Sequence, residues 1–199
     1  MTITEGDAPR TREVAVTIGT RFPVVLEDAL RGEPDAVEAL YRDLAPSVLG
    51  YLRGQGASEP EDLTSEVFEG VFRGLPRFRG EEAAFRSWVF TIAHRRLVDE
   101  RRRRGRRPEE AMDPADLADH GPVGDAEGEA LGRLGSRWAL EVLGKLTEGQ
   151  RSVVLLRILA DLSVAEVARI LGKSEGAVKN LLLRGVSRLG DEIARERVT

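Results

Sequence analysis

Two groups of side chains carry the chemistry that this sequence could perform, and both suit nucleic acids. In the first group, Asn180, Arg184 and Arg188 recur at helical spacing and share one side of a helix with Ala177 and Leu181. Asn and Arg can read base edges bidentately, whereas Lys and Arg at the margins bind phosphates. An exposed Leu181 would contact a thymine methyl or a protein partner. The residues predicted to contact DNA on this helix and just before it are Lys173, Ser174, Ala177, Lys179, Asn180, Leu181, Arg184 and Arg188.

The second group is a run of arginines that ends a long helical pattern: Arg95, Arg96, Arg101, Arg102, Arg103, Arg104, Arg106 and Arg107. Such a run alone is equally typical of a solvated helix face. Aromatic residues precede it, and aromatics beside cations suit unstacked bases and phosphates. Phe85 and Trp88 nonetheless fit a core better than a stacking platform. The loop at residues 77–82 is therefore the preferred place for a flipped-out base.

The elements that must position the first group form a predicted helix-turn-helix. Ser163 and Glu166 make an S-x-x-E capping box, and Gly172 can supply the left-handed residue that ends the first helix. Ser174 is the N-cap of the second helix, whose buried side is expected to hold an apolar row opposite the DNA-reading one. That row consists of Val178, Leu182, Val186 and Leu189. An ordinary helical hairpin is the alternative to a DNA-binding motif.

Four further helices precede the second group and predict a bundle. The first runs from about Pro23 to Arg31, and the second is capped by Asp35 and Glu38. Ser58 and Pro60 open the third helix. The fourth carries an apolar stripe before it reaches the arginines: Phe85, Trp88, Val89, Ile92 and Leu97. Since no strand is expected after residue 20, the predicted fold is all-α.

The chain divides into two small helical domains joined by an acidic flexible linker. The expected boundaries are a flexible leader at 1–22, a bundle at 23–107, the linker at 108–130 and a helix-turn-helix domain at 131–199. The second domain begins with a helix carrying Trp138 and Val142, and Thr147 with Gln150 caps the next one. Charge follows the same division, because 86–107 holds nine basic and two acidic residues while the linker holds eight acids and no base. The net charge of −4 conceals two basic surfaces.

Composition excludes several classes of protein. The absence of cysteine excludes disulfides, thiolate metal sites and thiol catalysis. His94 and His120 lack evident ligand or triad partners, so neither a metal site nor catalysis is expected, and no cofactor is predicted. Gly172-Lys173-Ser174 matches the last three residues of a Walker A motif. That motif also needs a glycine five positions earlier, where this chain has Val167. No apolar run suits a membrane span and no signal peptide opens the chain, which favours a cytoplasmic protein without membrane insertion.

Three ordered motifs together resemble the extracytoplasmic-function (ECF, group IV) sigma factors of bacterial RNA polymerase. Residues 61–68 are similar to the sigma region 2 helix that docks on the polymerase clamp. Residues 78–80 and 85–99 resemble the segment that melts and reads the −10 element. Residues 146–162 and the following helix-turn-helix resemble sigma region 4, which reads the −35 element. The resemblance covers about residues 24–107 and 131–190.

The resemblance implies an alternative sigma factor, which is not an enzyme. Its implied partners are promoter DNA, core RNA polymerase through the clamp and flap regions, and a possible anti-sigma factor. The implied polymerase-binding residues are Asp62, Leu63, Glu66 and Phe68, and the implied −10 residues are Arg77, Phe78, Arg79, Trp88, Arg95, Arg96, Arg101 and Arg102.

Four positions depart from the family pattern. Where this chain has Ser65 and Arg95, the family usually has Gln and Asn. Many members have Arg at Leu181 and Ala at Gly185. The competing interpretation is a stand-alone helix-turn-helix regulator that binds operators without polymerase.

Overall fold

The computed structural model describes residues 18–105 and 137–196, and helices account for most of both segments. The first unit contains α1 (Phe22–Leu30), α2 (Pro34–Gly54), α3 (Pro60–Gly74) and α4 (Glu82–Gly105). The second contains α5 (Arg137–Gly144), α6 (Glu148–Ile158), α7 (Val164–Leu171) and α8 (Glu175–Glu196). Within the described segments there is no strand, which confirms the all-α, two-unit prediction. The predicted leader up to residue 17 and the acidic linker lie outside the described residues.

The first unit is built around the long helices α2, α3 and α4. Leu40, Leu44, Val48 and Leu52 project from one stripe of α2 and are almost completely buried. The stripes of α3 and α4 close the core over them, and α1 packs on α2. Residues 18–22, predicted to be the end of the flexible leader, instead form a 3-10 turn at Gly19–Arg21 and the start of α1, and Ile18 and Phe22 are buried.

The beginnings of α2 and α3 differ from the expected caps. Glu33 is the N-cap of α2 and makes no capping bond through its side chain, so the predicted box of Asp35 and Glu38 is wrong. Pro34 at the first helical position already fixes φ for helix entry and has no N–H to satisfy. Ser58 does not cap α3, because its N–H and hydroxyl both donate to Glu100 on α4.

The second unit follows the predicted capping closely. Thr147 with Gln150 and Ser163 with Glu166 form two complete capping boxes. Gly172 ends α7 at φ 61°, a left-handed conformation that favours glycine. The Ser174 hydroxyl then accepts the N–H of Ala177 at 3.2 Å and starts α8. The helix-turn-helix is therefore set by local side-chain chemistry.

One expectation about α8 is wrong. Val186 was expected on the buried side but is 51% exposed, whereas Gly185 beside it is buried. The inward row is Val178, Leu182, Gly185 and Leu189, which repeats every three or four residues. A Cβ on Gly185 would lie 2.9 Å from Val154 Cγ2 on α6, so glycine allows the two helices to approach more closely than alanine would.

The two units pack directly on one another. The C-terminal end of α2 contacts α5 and α6, and α4 contacts α7. Gln55 and Ser152, which are 97 positions apart, share a buried hydrogen bond of 2.9 Å. The apolar core is consequently continuous between the units.

Candidate nucleic-acid interface

The exposed side of α8 carries most of the predicted DNA-reading residues. Asn180, Arg184 and Arg188 are all exposed along it. Lys173, Ser174 and Lys179 are exposed around the N-terminal end of the helix, and Ala177 is half-buried. On the opposite side Val178 is completely buried, which fixes the rotation of α8 about its axis. The arrangement presents amide and guanidinium donors in one row, as major-groove recognition requires.

Leu181 does not lie in that exposed row. Its side chain is half-buried and packs against α6, where both of its methyl groups would be 3.6 Å from a Cβ on Gly149. Leu181 therefore helps to hold α8 on α6. The apolar contact that was expected with a base or a protein is made inside the unit.

The loop before α4 folds its aromatic residue inward. Phe78 is 9% exposed and stacks on Trp88 with 5.2 Å between ring centroids and 20° between ring planes. Phe85 completes the cluster through edge contact with Phe78 at 5.3 Å. Such ring pairs stabilise by about 0.5–1.5 kcal/mol beyond their burial. The loop predicted to hold a flipped-out base thus turns its phenyl ring into the first unit.

The loop's arginines have different surroundings. Arg79 donates to the carbonyl oxygens of Pro76 at 2.9 Å and Phe78 at 2.6 Å, which ties it to the loop backbone. Arg77 is exposed. The loop therefore has one guanidinium that braces it and one that faces solvent.

The arginines of α4 divide into outward and inward members. Arg95 and Arg102 are exposed, and Arg96 is half-buried with Nη1 3.6 Å from Glu66 Oε2 on α3. Arg101 instead turns toward the second unit, where it pairs with Glu148. Since Arg106 and Arg107 fall outside the described residues, the outward cationic surface of α4 consists of Arg95, Arg96, Arg102 and Arg103.

The predicted polymerase-docking residues also fall into two sets. Asp62 is exposed and Glu66 is half-exposed one turn later on α3, so both carboxylates are accessible. Leu63 and Phe68 are almost fully buried in the first unit's core. A surface contact by α3 therefore depends on the two acids, while the two apolar residues hold the helix in place.

Glu100 on α4 is an acidic residue held inside the first unit, since it is 9% exposed and accepts two hydrogen bonds from Ser58. Burial by itself would raise the pKa of this carboxyl, but the bonds from Ser58 and the nearby Arg104 outweigh it and hold the pKa below its usual range. No local sequence pattern indicates this contact, because the partners are 42 positions apart.

A second unpredicted polar pair lies close to the contact between the units. The Nδ1 atom of His94 lies 2.9 Å from the hydroxyl of the fully buried Tyr51. Burial, and after it the charge of Arg101, lower the pKa of His94, and burial raises the pKa of Tyr51. Both groups are therefore neutral at neutral pH, and one hydrogen bond joins the phenol oxygen to Nδ1.

Two other kinds of site find no support in the described part of the chain. It contains no group of three or more His, Cys, Asp or Glu side chains placed to hold a metal ion. None of its helices combines the length and apolarity that crossing a membrane requires.

Comparisons with known proteins match both units. Family models described as Sigma-70 region 2 and Sigma-70, region 4 match residues 40–107 and 136–189. The ECF RNA polymerase sigma factor BldN of Streptomyces coelicolor is 34% identical over 181 residues, covering 89% of this chain and 68% of the relative. ShbA of Streptomyces griseus, another ECF RNA polymerase sigma factor, is 32% identical over 179 residues, covering 85% and 94%.

Among solved structures, the sigma factor RpoE of Bartonella quintana, in complex with the anti-sigma factor NepR, matches with a TM-score of 0.64. At 19% identity it covers 79% of this chain and 96% of that one, and the likeness concerns the fold.

Proposed function

The chain belongs to the ECF family of RNA polymerase sigma factors, and we propose that its two units divide promoter recognition between them. As an alternative sigma factor it binds core RNA polymerase and directs promoter-specific transcription initiation. The proposal assigns the −10 element to the first unit and the −35 element to the second. It also places the chain in group IV and in the cytoplasm beside polymerase.

The exposed row of α8 carries this proposal. Asn180, Arg184 and Arg188 project from the second helix of a helix-turn-helix, and the buried Val178 faces the other way. Such a helix lies in the major groove with its exposed side toward the base edges. Arg184 and Asn180 would hydrogen-bond bases, while Lys173, Lys179 and Arg188 would bind phosphates on either side.

The loop before α4 would receive an unstacked base of the −10 element. Phe78 would then give up its stacking contact with Trp88, since that contact covers the face of the ring that a base would use. Base and phenyl ring are both flat and apolar-faced, so the base can take over the stacking contact. Arg77, Arg95, Arg96 and Arg102 would neutralise the phosphates of the melted strand.

Asp62 and Glu66 would form the polymerase-docking surface on α3, with a cationic region of the clamp as partner. The two carboxylates lie one turn apart on an exposed side of the helix. A flap contact by the second unit is part of the same proposal. So is a possible anti-sigma partner, since a matching sigma factor was solved with one.

Run-off transcription with core polymerase on a promoter library tests the proposal against a stand-alone regulator. The protein should co-purify with core polymerase and produce transcripts from promoters that share a −10 and a −35 sequence. Core polymerase alone is the control. Specific binding to duplex DNA without any polymerase-dependent transcript would favour the regulator instead.

A further inference from the structure

The arginine-rich end of α4 is fastened to the loop between α2 and α3. Glu100 accepts the backbone N–H of Ser58 at 3.0 Å and the Ser58 hydroxyl as well. Arg104, one turn further along α4, donates from Nη2 to the same carboxylate at 3.1 Å and to the carbonyl oxygen of Gly56 at 3.2 Å. Hydrogen bonds to ionised groups are roughly twice as strong as neutral ones. We call the bonds of Glu100 and Arg104 with Gly56 and Ser58 the α4 brace.

The loop that receives the α4 brace has a fixed backbone. Gly56 adopts φ 75°, a left-handed conformation that favours glycine. The N–H of Ala57 then donates to the carbonyl oxygen of Leu52 at 3.1 Å, which is the closing bond of a Schellman motif after α2. Ala57 is 2% exposed, so the loop is packed into the first unit. A side chain bound to this loop therefore has a fixed position relative to the first unit's core.

The last turns of α4 concentrate positive charge. Residues 101–104 are four consecutive arginines, and the last four carbonyl groups of a helix have no partner within it. Like charges one turn apart destabilise a helix, and terminal turns fray. Arg102 and Arg103 are both exposed in these turns. Their backbone therefore depends on contacts outside the helix to stay ordered.

Fastening one side of α4 presents the other side to solvent. Arg101 also turns toward the loop, where its Nη2 donates to the carbonyl oxygen of Gln55 at 2.6 Å. At about 100° per residue, Arg102 lies about 200° around the helix axis from Glu100. The bonds to the loop consequently fix the rotation of α4 at which Arg102 and Arg103 face outward.

Electrostatics alone would disfavour an acid at position 100. A carboxylate within an arginine run repels the phosphates that the arginines would bind. Asp99 beside it is exposed and lies 3.6 Å from Arg102, as an acid in a solvated ion pair does. Glu100 is instead 9% exposed and accepts three hydrogen bonds. Its enclosure indicates a structural role on the DNA-binding helix.

We propose that Glu100 is a positioning residue for −10 recognition, because the α4 brace keeps Arg102 and Arg103 ordered and outward before the melted strand arrives. The proposal rests on the −10 role proposed above for the first unit. Glu100 does not touch the DNA and acts through the two arginines. A backbone ordered in advance loses less conformational entropy when its side chains bind.

Binding of fork-junction DNA to the holoenzyme tests the proposal, with the single-stranded −10 segment of a promoter that the run-off library recovers. Glu100→Ala should lower the affinity at least five-fold. Asp99→Ala is the matched control, since it removes the same charge from the neighbouring exposed position. Loss of a carboxylate beside phosphates should leave the affinity of this control unchanged or raise it. An affinity of Glu100→Ala equal to or above that of the control would overturn the proposal.

A double-mutant cycle separates positioning from a general loss of structure. In a protein that already carries Arg102→Ala and Arg103→Ala, adding Glu100→Ala should change the affinity for fork-junction DNA by less than two-fold, because the groups that it positions are gone. An equal loss in both backgrounds would overturn the positioning role. Ser58→Ala removes one of the three donors and leaves the loop backbone in place, so its affinity should lie between those of wild type and Glu100→Ala.

Amide hydrogen exchange of the full-length protein, without polymerase or DNA, measures the α4 brace by itself. Exchange at residues 101–105 should be at least ten-fold faster in Glu100→Ala than in wild type, while the buried turn around Phe90 keeps its rate. Unchanged exchange at 101–105 would overturn the brace. Faster exchange in the variant, together with a wild-type holoenzyme that does not bind the fork-junction DNA, would instead contradict the proposed function alone.

Discussion

At the scale of single residues, Arg184 is the most direct test of base reading. Arg184→Ala should weaken −35 binding by about 1–3 kcal/mol if the guanidinium makes a bidentate base contact, and it should relax preference at one base pair. Quantitative binding to a set of −35 variants measures both effects. Arg195→Ala, three turns further along α8, is the matched control.

A phosphate role for Arg184 would give a different result. Affinity would then fall evenly for all sequences, and the slope of affinity against salt concentration would decrease by about one unit. Unchanged binding would remove Arg184 from the interface.

The acids of α3 are testable in the same way. Asp62→Arg with Glu66→Arg should abolish most binding to core polymerase while preserving the fold, because both side chains are accessible. Glu27→Arg with Glu38→Arg introduces the same charge change elsewhere on the first unit and should bind normally. Pull-down with core polymerase and circular dichroism measure affinity and fold. Equal retention of the two double variants would contradict the assignment.

His94 makes stability depend on pH. Its folded pKa lies below its unfolded value of about 6.5, so the unfolded chain takes up a proton first as pH falls. The free energy of unfolding should therefore be constant above about pH 7.5 and decline below 6.5. Tyr51, Arg101 and Glu148 are the titratable groups that bear on this histidine.

His94→Gln should remove most of the decline in the free energy of unfolding between pH 7.5 and 5.5. The glutamine amide can share a hydrogen bond with the Tyr51 hydroxyl and does not titrate. Urea unfolding at both pH values measures the difference. A decline of equal size in wild type and variant would show that other groups cause it.

At the scale of helices, two glycines of α8 form a matched pair. A Cβ on Gly185 would meet the stiff, buried Val154 at 2.9 Å, whereas a Cβ on Gly190 would meet nothing within 4 Å. Gly190→Ala should raise the free energy of unfolding by up to about 1 kcal/mol through helix propensity. The free energy of unfolding of Gly185→Ala should be about 1–3 kcal/mol lower than that of Gly190→Ala. Both variants gain helix propensity, but overpacking against Val154 offsets that gain in Gly185→Ala.

Thermal unfolding of the two variants measures this difference, and −35 binding shows whether α8 has moved. Equal stabilisation by both alanines would mean that α8 can shift away from α6 without loss.

The same helix shows what the sequence could and could not predict. The caps at Thr147, Ser163 and Ser174 were predicted correctly, because each depends on residues within three positions. The inward side of α8 was assigned to Val186 instead of Gly185, because periodicity counts apolar side chains and glycine contributes none. Where two helices approach closely, glycine fits because it has no side chain. A search for apolar residues at helical spacing does not count glycine and therefore misses such a position.

Contacts between distant residues were also beyond the sequence. The exposure of the α3 acids and of the arginine row on α8 follows from helical spacing, whereas the inward turn of Phe78 depends on Trp88 ten positions away. No sequence pattern links Gln55 to Ser152, and their hydrogen bond forms only because the two units pack together. The predicted family, the fold class and the exposure of Asn180, Arg184 and Arg188 needed only local patterns, whereas the contact between the two units needed the assembled chain.

At the scale of the whole molecule, each unit contains one tryptophan, which allows their unfolding to be followed separately. Trp138→Phe leaves Trp88 as the probe of the first unit, and Trp88→Phe leaves Trp138 as the probe of the second. Because the apolar core is continuous between the units, both probes should report the same denaturant midpoint. Adding Ser152→Asp, which places a charge in the interface, should separate the two midpoints. Different midpoints without that substitution would contradict coupled unfolding.

The close approach at Gly54 also bears on hybrid sigma factors. Grafting a foreign second unit after the linker would replace the α8 surface and so transfer promoter preference. The same graft would replace Leu155, whose Cδ1 would lie 2.9 Å from a Cβ on Gly54, and a residue of another shape there would change how the two units fit together. Such a chimera would acquire the donor's promoter preference together with an altered contact between its units. Designers of hybrid factors would therefore keep Leu155 opposite Gly54 while they exchange the α8 surface.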